Sequence, residues 1–174
     1  MASTALAALA QSCAANSGGI KRIYLANKAS VSSVTFSSEV ATAISMAGSE
    51  LFFEIEFEQD TAEWREAGEL VNGSSKYTQE LEFYIKGNID AHRAVLNALS
   101  NNCGFVGVVE DNNGTQFILG ASTDFDLERP LKLSSDASGS GKELTDTAGS
   151  TITLTAMTRA KAETCTQDMS TLLS

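Results

Sequence analysis

Two runs in this chain alternate apolar residues with glutamate, and that alternation constrains the fold more than any other feature. The first reads Leu51-Phe52-Phe53-Glu54-Ile55-Glu56-Phe57-Glu58, the second Tyr77-Thr78-Gln79-Glu80-Leu81-Glu82-Phe83-Tyr84-Ile85. Side chains at i and i+2 share one face of a strand, so a period of two describes strands with one apolar and one acidic face. Leu51, Phe53, Ile55 and Phe57 make the apolar face of the first run, and Leu81, Phe83 and Ile85 that of the second. The simplest topology joins the two as an antiparallel hairpin through residues 59–76. Glutamates then lie beside glutamates, which destabilises a sheet. Such a face is either a solvated surface that happens to be acidic or one selected to be negative, for example to repel a polyanion.

The charge balance sharpens that choice. The net charge is −10, and Glu50–Glu82 holds ten acidic residues against Arg65 and Lys76. Tight, sequence-specific nucleic-acid binding needs neutralising lysine and arginine, so this balance disfavours it. An acidic surface that faces DNA without binding it remains compatible. The 174 residues fit one domain, and 43% hydrophobic against 20% charged residues supports a packed core.

Cys13, Cys103 and Cys165 are odd in number and far apart, with no CxxC or Cys/His spacing. Neither a zinc site nor a disulfide framework is expected, and synthesis in a reducing cytoplasm is. No metal and no cofactor are expected. The opening residues carry a short, alanine-weighted apolar run without the basic start of a secretory signal. A short helix, or an arm packing on a neighbour, is expected over 1–16. No run approaches the roughly 20 apolar residues a membrane span needs, so no membrane partner is expected.

Strands are expected at Ile20–Ala26, Val31–Phe36, Phe105–Val109, Thr115–Leu119 and Thr151–Ala156, with another extended piece at Ala121–Leu127. A helix is expected from Asn88 or Asp90 to about Asn101, with Ile89, Val95, Leu96 and Leu99 as its apolar stripe. Glu110–Gly114 reads as a turn rather than a cation site, because it lacks the Asp-x-Asp-x-Asp-Gly register. Residues 134–149, rich in Ser, Gly, Asp and Thr, read as a mobile connection. The fold expected is mainly β: a β-sandwich or partly rolled barrel with one packed α-helix and a long hairpin loop. A single domain over 17–157 would lie between an N-terminal arm (1–16) and a C-terminal tail or docking arm (158–174).

The 59–76 loop is longer than a usual hairpin connection. It carries Trp64, Arg65, Glu66, Leu70 and Val71, a candidate inter-subunit contact. Trp64 either caps its own sheet or meets a partner; the second is the preferred reading. Enzyme readings lack parts: no GxSxG, HExxH, Walker-type loop or GxGxxG occurs in the right context. His92, the single histidine, has no supporting cysteine or acid and reads as structural. No catalytic residue is assigned.

An acidic alternating strand, a long polar loop, a second alternating strand, one helix, a Phe-Val-Gly-Val-Val-Glu-Asp-Asn-Asn-Gly hairpin (105–114), a Ser/Gly-rich connection and a closing Gly-Ser-Thr-Ile-Thr-Leu-Thr strand (149–155) follow one another. This order resembles bacteriophage tail tube proteins and related virion structural proteins. The resemblance implies hexameric rings stacked into a tube, formed in the host cytoplasm and residing in the virion tail. Each subunit would lend strands to an inner β-barrel with a negative lumen through which DNA passes without specific binding. It implies Glu54, Glu56, Glu58, Glu80 and Glu82 as the lumen face, the 59–76 loop as the contact to the adjacent ring, and the protein itself and other virion proteins as partners. A head–tail connector, tail completion protein, capsid decoration protein or monomeric β-sandwich binding module are the alternatives.

Overall fold

A computed structural model describes residues 14–100 and 103–174. The expectation for residues 1–16 and the end of the helix at 101–102 therefore fall largely outside the described residues. The chain runs β1 (Ile20–Asn27), β2 (Val31–Ser37), β3 (Val40–Met46), β4 (Phe53–Ile55), β5 (Glu63–Val71) and β6 (Ser74–Lys86). It continues through α1 (Asp90–Ser100), β7 (Phe105–Asp111), β8 (Gln116–Leu119), β9 (Lys132–Gly139), β10 (Gly149–Thr158) and β11 (Glu163–Cys165). Two sheets result, in the orders β2-β3-β11-β8-β7-β1-β4 and β5-β6-β10-β9. The protein is mainly β, two packed sheets with a single α-helix and no closed barrel among the described residues.

The second acidic run behaves as its pattern dictates. Gln79, Leu81 and Phe83 point inward on β6, while Glu80 and Glu82 point outward. β10 pairs along it with Ile152 opposite Phe83 and Leu154 opposite Leu81. These four side chains are fully buried, against Ile23, Val109 and Leu119 of the larger sheet and Leu96 and Leu99 of α1. Each is worth about 1.5–3 kcal/mol on burial. Residues of β1 and β7 alternate between this core and a second one on the other face of the larger sheet, so Ile23 and Val109 face one, Tyr24 and Val108 the other. Burial on both faces is what the continuous apolar run at 105–109 predicts.

The first acidic run departs from its pattern. Only Phe53–Ile55 form a strand, and it pairs with β1, not with the second run. Phe52, not Phe53, is the buried residue: its N–H donates to the Leu172 carbonyl, and it bridges Leu173. The expected hairpin between the two acidic runs is thus corrected. Their one ladder-like contact is Glu58 N donating to the Tyr84 carbonyl at 3.0 Å, where the chain crosses between sheets.

The long loop over 59–76 is corrected too. It is strand β5, joined to β6 through the two-residue turn Asn72-Gly73, both with positive φ (49° and 79°). That geometry matches the right-handed twist of the flanking strands. Likewise β9 takes the first six residues of the expected mobile connection (134–139), and Ala121–Leu127 is a turn closed by reciprocal Ser122–Asp126 backbone hydrogen bonds, not an extended piece. The turn at Glu110–Gly114 forms as expected: Asp111 Oδ1 accepts from the N–H groups of Asn113 (2.9 Å) and Thr115 (2.8 Å).

The C-terminal segment docks on its own domain. β11 lies between β3, to which it is parallel, and β8, to which it is antiparallel. Buried Glu163 accepts from Thr123 N (2.8 Å) and Thr123 Oγ1 (2.9 Å), which satisfies its carboxylate inside the fold.

Gly120 follows β8 with φ +79°, where a Cβ would lie 2.7 Å from both Leu131 N and Phe105 O. Those atoms belong to a backbone bridge and cannot yield cheaply. We predict that Gly120→Ala costs about 3 kcal/mol in chemical denaturation, through strain plus displacement. Gly114→Ala, also at positive φ but with open space around it, should cost only the left-handed penalty of about 1–2 kcal/mol.

Candidate functional site: a polar sheet face with two open edges

The feature that stands apart is the outer face of the four-stranded sheet. Its inner face is consumed by the core, so the outer one is the only face it presents. Register fixes what lies there, because directly opposed residues share a face. One row runs Glu63, Glu82, Thr153, Ser135 across β5, β6, β10 and β9; the next runs Arg65, Glu80, Thr155, Lys132. These two rows are carboxylates and hydroxyls with Arg65 and Lys132 at their ends, and Lys76 and Lys86, at the two ends of β6, share the face with them.

Glu63 lies directly opposite Glu82, the like-charge pairing foreseen from the alternation, although its partner strand is β5. Arg65 resolves the conflict. Its guanidinium hydrogen-bonds Glu80 and lies 3.5 Å from Glu63 and 3.8 Å from Glu82. The hydrogen bond to Glu80, then the charges of Glu80 and Glu63, push the Arg65 pKa above its ordinary value. A raised pKa on a cation means its contribution is present at every pH below that range and disappears only in strong alkali. With three carboxylates around it, the Arg65 guanidinium is already engaged by anions of its own sheet.

The five glutamates expected on one face are divided. Glu80 and Glu82 are on this sheet, Glu54 is on β4 of the other sheet beside Arg22 (3.9 Å), and Glu56 and Glu58 lie in the connection after β4. Lys86 approaches Glu58 at 4.0 Å. Glu63 is the acid that sequence reasoning missed. The signal for it was Asn72-Gly73, which marks a two-residue hairpin and makes 63–71 a strand.

The residues of the expected inter-subunit loop also separate. Trp64 faces inward, half-buried, its ring 4.8 Å from that of Phe117 across the two sheets. It caps its own core, the other reading its sequence allowed. Glu66 faces inward as well and accepts the Ala162 N–H. Leu70 and Val71 sit exposed at the tip of the β5–β6 hairpin, which projects beyond β10 because β10 covers β6 only from Tyr77 to Lys86.

Both margins of the sheet are open. No described strand pairs with the outer side of β5 or of β9. His92 lies on the first turn of α1, with Nδ1 3.3 Å from the Gly87 carbonyl. Among the described residues, no group of three or more His, Cys, Asp or Glu is placed to hold a metal ion, and no helix is long and apolar enough to cross a membrane. No protein-family model, curated protein or solved structure matches the chain.

Two outcomes are expected. Arg65→Ala should lower the thermal midpoint at low ionic strength and progressively less as salt screens the three carboxylates, and adding Glu63→Gln should restore much of the loss. Equal losses at all salt concentrations would mean the carboxylates do not repel. Trp64→Ala should destabilise the isolated subunit by about 2–4 kcal/mol in denaturant titration, through lost packing on Phe117.

Proposed function

We propose that this protein is a non-catalytic structural subunit whose copies join edge to edge into rings, stacked as in a phage tail tube, with the outer face of the four-stranded sheet lining a conduit for DNA. The observation that carries this reading is that sheet: four antiparallel strands, one face committed to the core, one face polar, both edges unpaired. Strand direction alternates across β5-β6-β10-β9, so β9 of one copy and β5 of the next, related by rotation about an axis, are again antiparallel. An even strand number therefore lets the ladder continue from copy to copy, and closure removes both edges of this sheet. The buried face cannot line the conduit, so the polar one does.

The charge pattern supports the same reading. On the outer face β5 carries Glu63, Arg65 and Glu69 and β9 carries Lys132, so the two edges that meet have opposite net charge. Within the conduit, a phosphate backbone meets glutamates, threonines and cations engaged by carboxylates, Arg65 by three, Lys76 by Glu69 and Lys86 by Glu58. Affinity for DNA is correspondingly low, which is what sliding requires. The resemblance in the order of elements supplies the setting, hexameric rings in a virion tail; a connector ring uses the same edges.

The test is electron microscopy and light scattering of concentrated protein over a range of salt. Rings or hollow tubes are expected. Lys132→Glu alone and Glu63→Lys alone should each block ring formation, and the double reversal should restore it. A monomer under all conditions, or a double reversal that fails while both single variants assemble, would sink the proposal.

A further inference from the structure

An apolar groove of about 410 Å³ opens between β4 and α1, walled by Phe53, Ile55, Val95 and Leu99 and floored by Leu25 and Phe105. Phe53 (54%) and Val95 (50%) remain exposed on its rim. β4 ends its sheet, and no described strand pairs with its outer side. Glu54 is the one charged lining residue, and Arg22 lies 3.9 Å from it. An uncharged apolar segment therefore fits the groove without leaving a charge unopposed.

The chain that precedes β1 starts close to this groove. Asn113 Nδ2 donates to Asn16 Oδ1 (2.8 Å) and to the Ser17 carbonyl (2.9 Å), and Asn112 Nδ2 donates to the Gly18 carbonyl (2.7 Å). These bonds hold residues 16–18 on the turn between β7 and β8. Asn112 also lines a second depression, beside Ile20, Arg22, Glu54 and Ile55. Glu54 and Ile55 line the groove as well, so the two depressions adjoin along β4. Leu25 to Asn27, at the groove, lie five to seven residues past Ile20 on β1, roughly 17–23 Å away. The 13 residues before Ala14 would span about 20 Å as a helix and about 43 Å if extended. In either form they are long enough to reach the groove of their own subunit.

Their chemistry matches too. Residues 1–13 carry no charged side chain, and Leu6 and Leu9, three apart, would share one face of a helix. The other exposed leucines sit beside charges: Leu70 follows Glu69, and Leu144 follows Lys142-Glu143. We propose that residues 1–13 follow β4 and seat Leu6 and Leu9 in the β4–α1 groove of their own subunit. The placement belongs to the single chain and does not depend on the ring. Two leucines hold a separate chain only weakly. A short tether raises the local concentration to the millimolar range, which favours the segment of the same chain over that of any other copy. Of the two sequence expectations for this region, packing on a neighbour thereby gives way to packing on its own β4 edge, where the segment covers Phe53 and Val95.

The experiment is disulfide trapping of Leu6→Cys with Val95→Cys in a Cys13→Ser/Cys103→Ser background, where the remaining Cys165 is buried. Under mild oxidation of dilute protein, an internally linked monomer is expected, at a yield independent of protein concentration. Leu6→Cys with Met157→Cys, similarly exposed but outside the groove, should link several-fold less. A second reading uses a fluorescent dye that binds exposed apolar surface. Leu6→Asp/Leu9→Asp in the full chain should raise dye binding several-fold, and adding Val95→Glu should reverse most of the rise. Equal linking to positions 95 and 157 would mean that the segment visits the surface without settling, and overturns the proposal. Linked dimers in place of linked monomers would put the segment in another copy's groove, and overturn it too. Absence of any link, or dye binding unchanged by the two aspartates, likewise overturns it. Ring assembly is read separately by microscopy, so either proposal can fail without the other.

Discussion

Everything else in the molecule depends on the contact between the inner faces of its two sheets. Leu81 and Phe83 of β6 and Ile152 and Leu154 of β10 meet Ile23, Val109 and Leu119 with no solvent exposure. Because β6 and β10 commit their apolar side to this contact, the opposite side is necessarily the polar one. The same alternation that builds the core therefore delivers the Glu and Thr rows to the surface. A one-residue slip of β6 against β10 would exchange Phe83 for Glu82 in the core. Burying an unpaired carboxylate costs far more than the apolar burial gains, so core and outer face are specified together.

The C-terminal segment is the second constraint. β11 has three residues, yet among the described residues it alone links the β2–β3 hairpin to the remaining strands in the sheet order. Beyond it, Gln167 accepts from Ile44 N, and Leu172 and Ser174 bracket Phe52. The Asp168 carboxyl is held below the usual range by hydrogen bonds from the side chain and backbone of Ser170. A depressed acid contributes stability above its unfolded pKa and loses it as pH falls through the folded one, so this cap holds at neutral pH and weakens in acid. Nothing in the polar pattern of 158–174 announces these contacts, because they come from the positions of Phe52, Ile44 and Thr123, each far away in sequence.

What could be read from the chain follows from how local the cause is. The fold class, β1, β6, β7, β8 and α1 rest on short-range periodicity and were legible. The partner of each strand was not, because pairing is a long-range choice among several apolar faces. The two acidic runs look like a hairpin by pattern alone, but Asn72-Gly73 competes for the second run and wins, since two residues close a hairpin at far less entropic cost than eighteen. β5 was hidden by its Glu, Ala and Gly content, which lowers strand propensity, and β9 by its serines. Arg65 was visible as one of two cations in an acidic stretch; its position among Glu63, Glu80 and Glu82 required the register. Trp64 was ambiguous until Phe117 was placed opposite it.

The acidic face is tolerable in an assembly for a reason of scale. Arg65 with its three glutamates leaves two uncompensated negative charges per copy. In a ring continued edge to edge, equivalent clusters are separated by four strands, about 19 Å. The screening length at physiological ionic strength is roughly 8 Å, so neighbouring clusters interact only weakly. Within one copy the same charges sit a few ångströms apart and would be costly without Arg65. Compensation is therefore needed inside each subunit and not between subunits. The distribution observed meets that requirement: the cation lies among the acids of its own sheet, and the edges are left to the ladder and to the opposite net charges of β5 and β9. A monomer under pressure to keep its edges apart would instead place like charges or proline along both. β9, largely Ser, Ala and Gly with one lysine and one aspartate, offers little resistance to being paired.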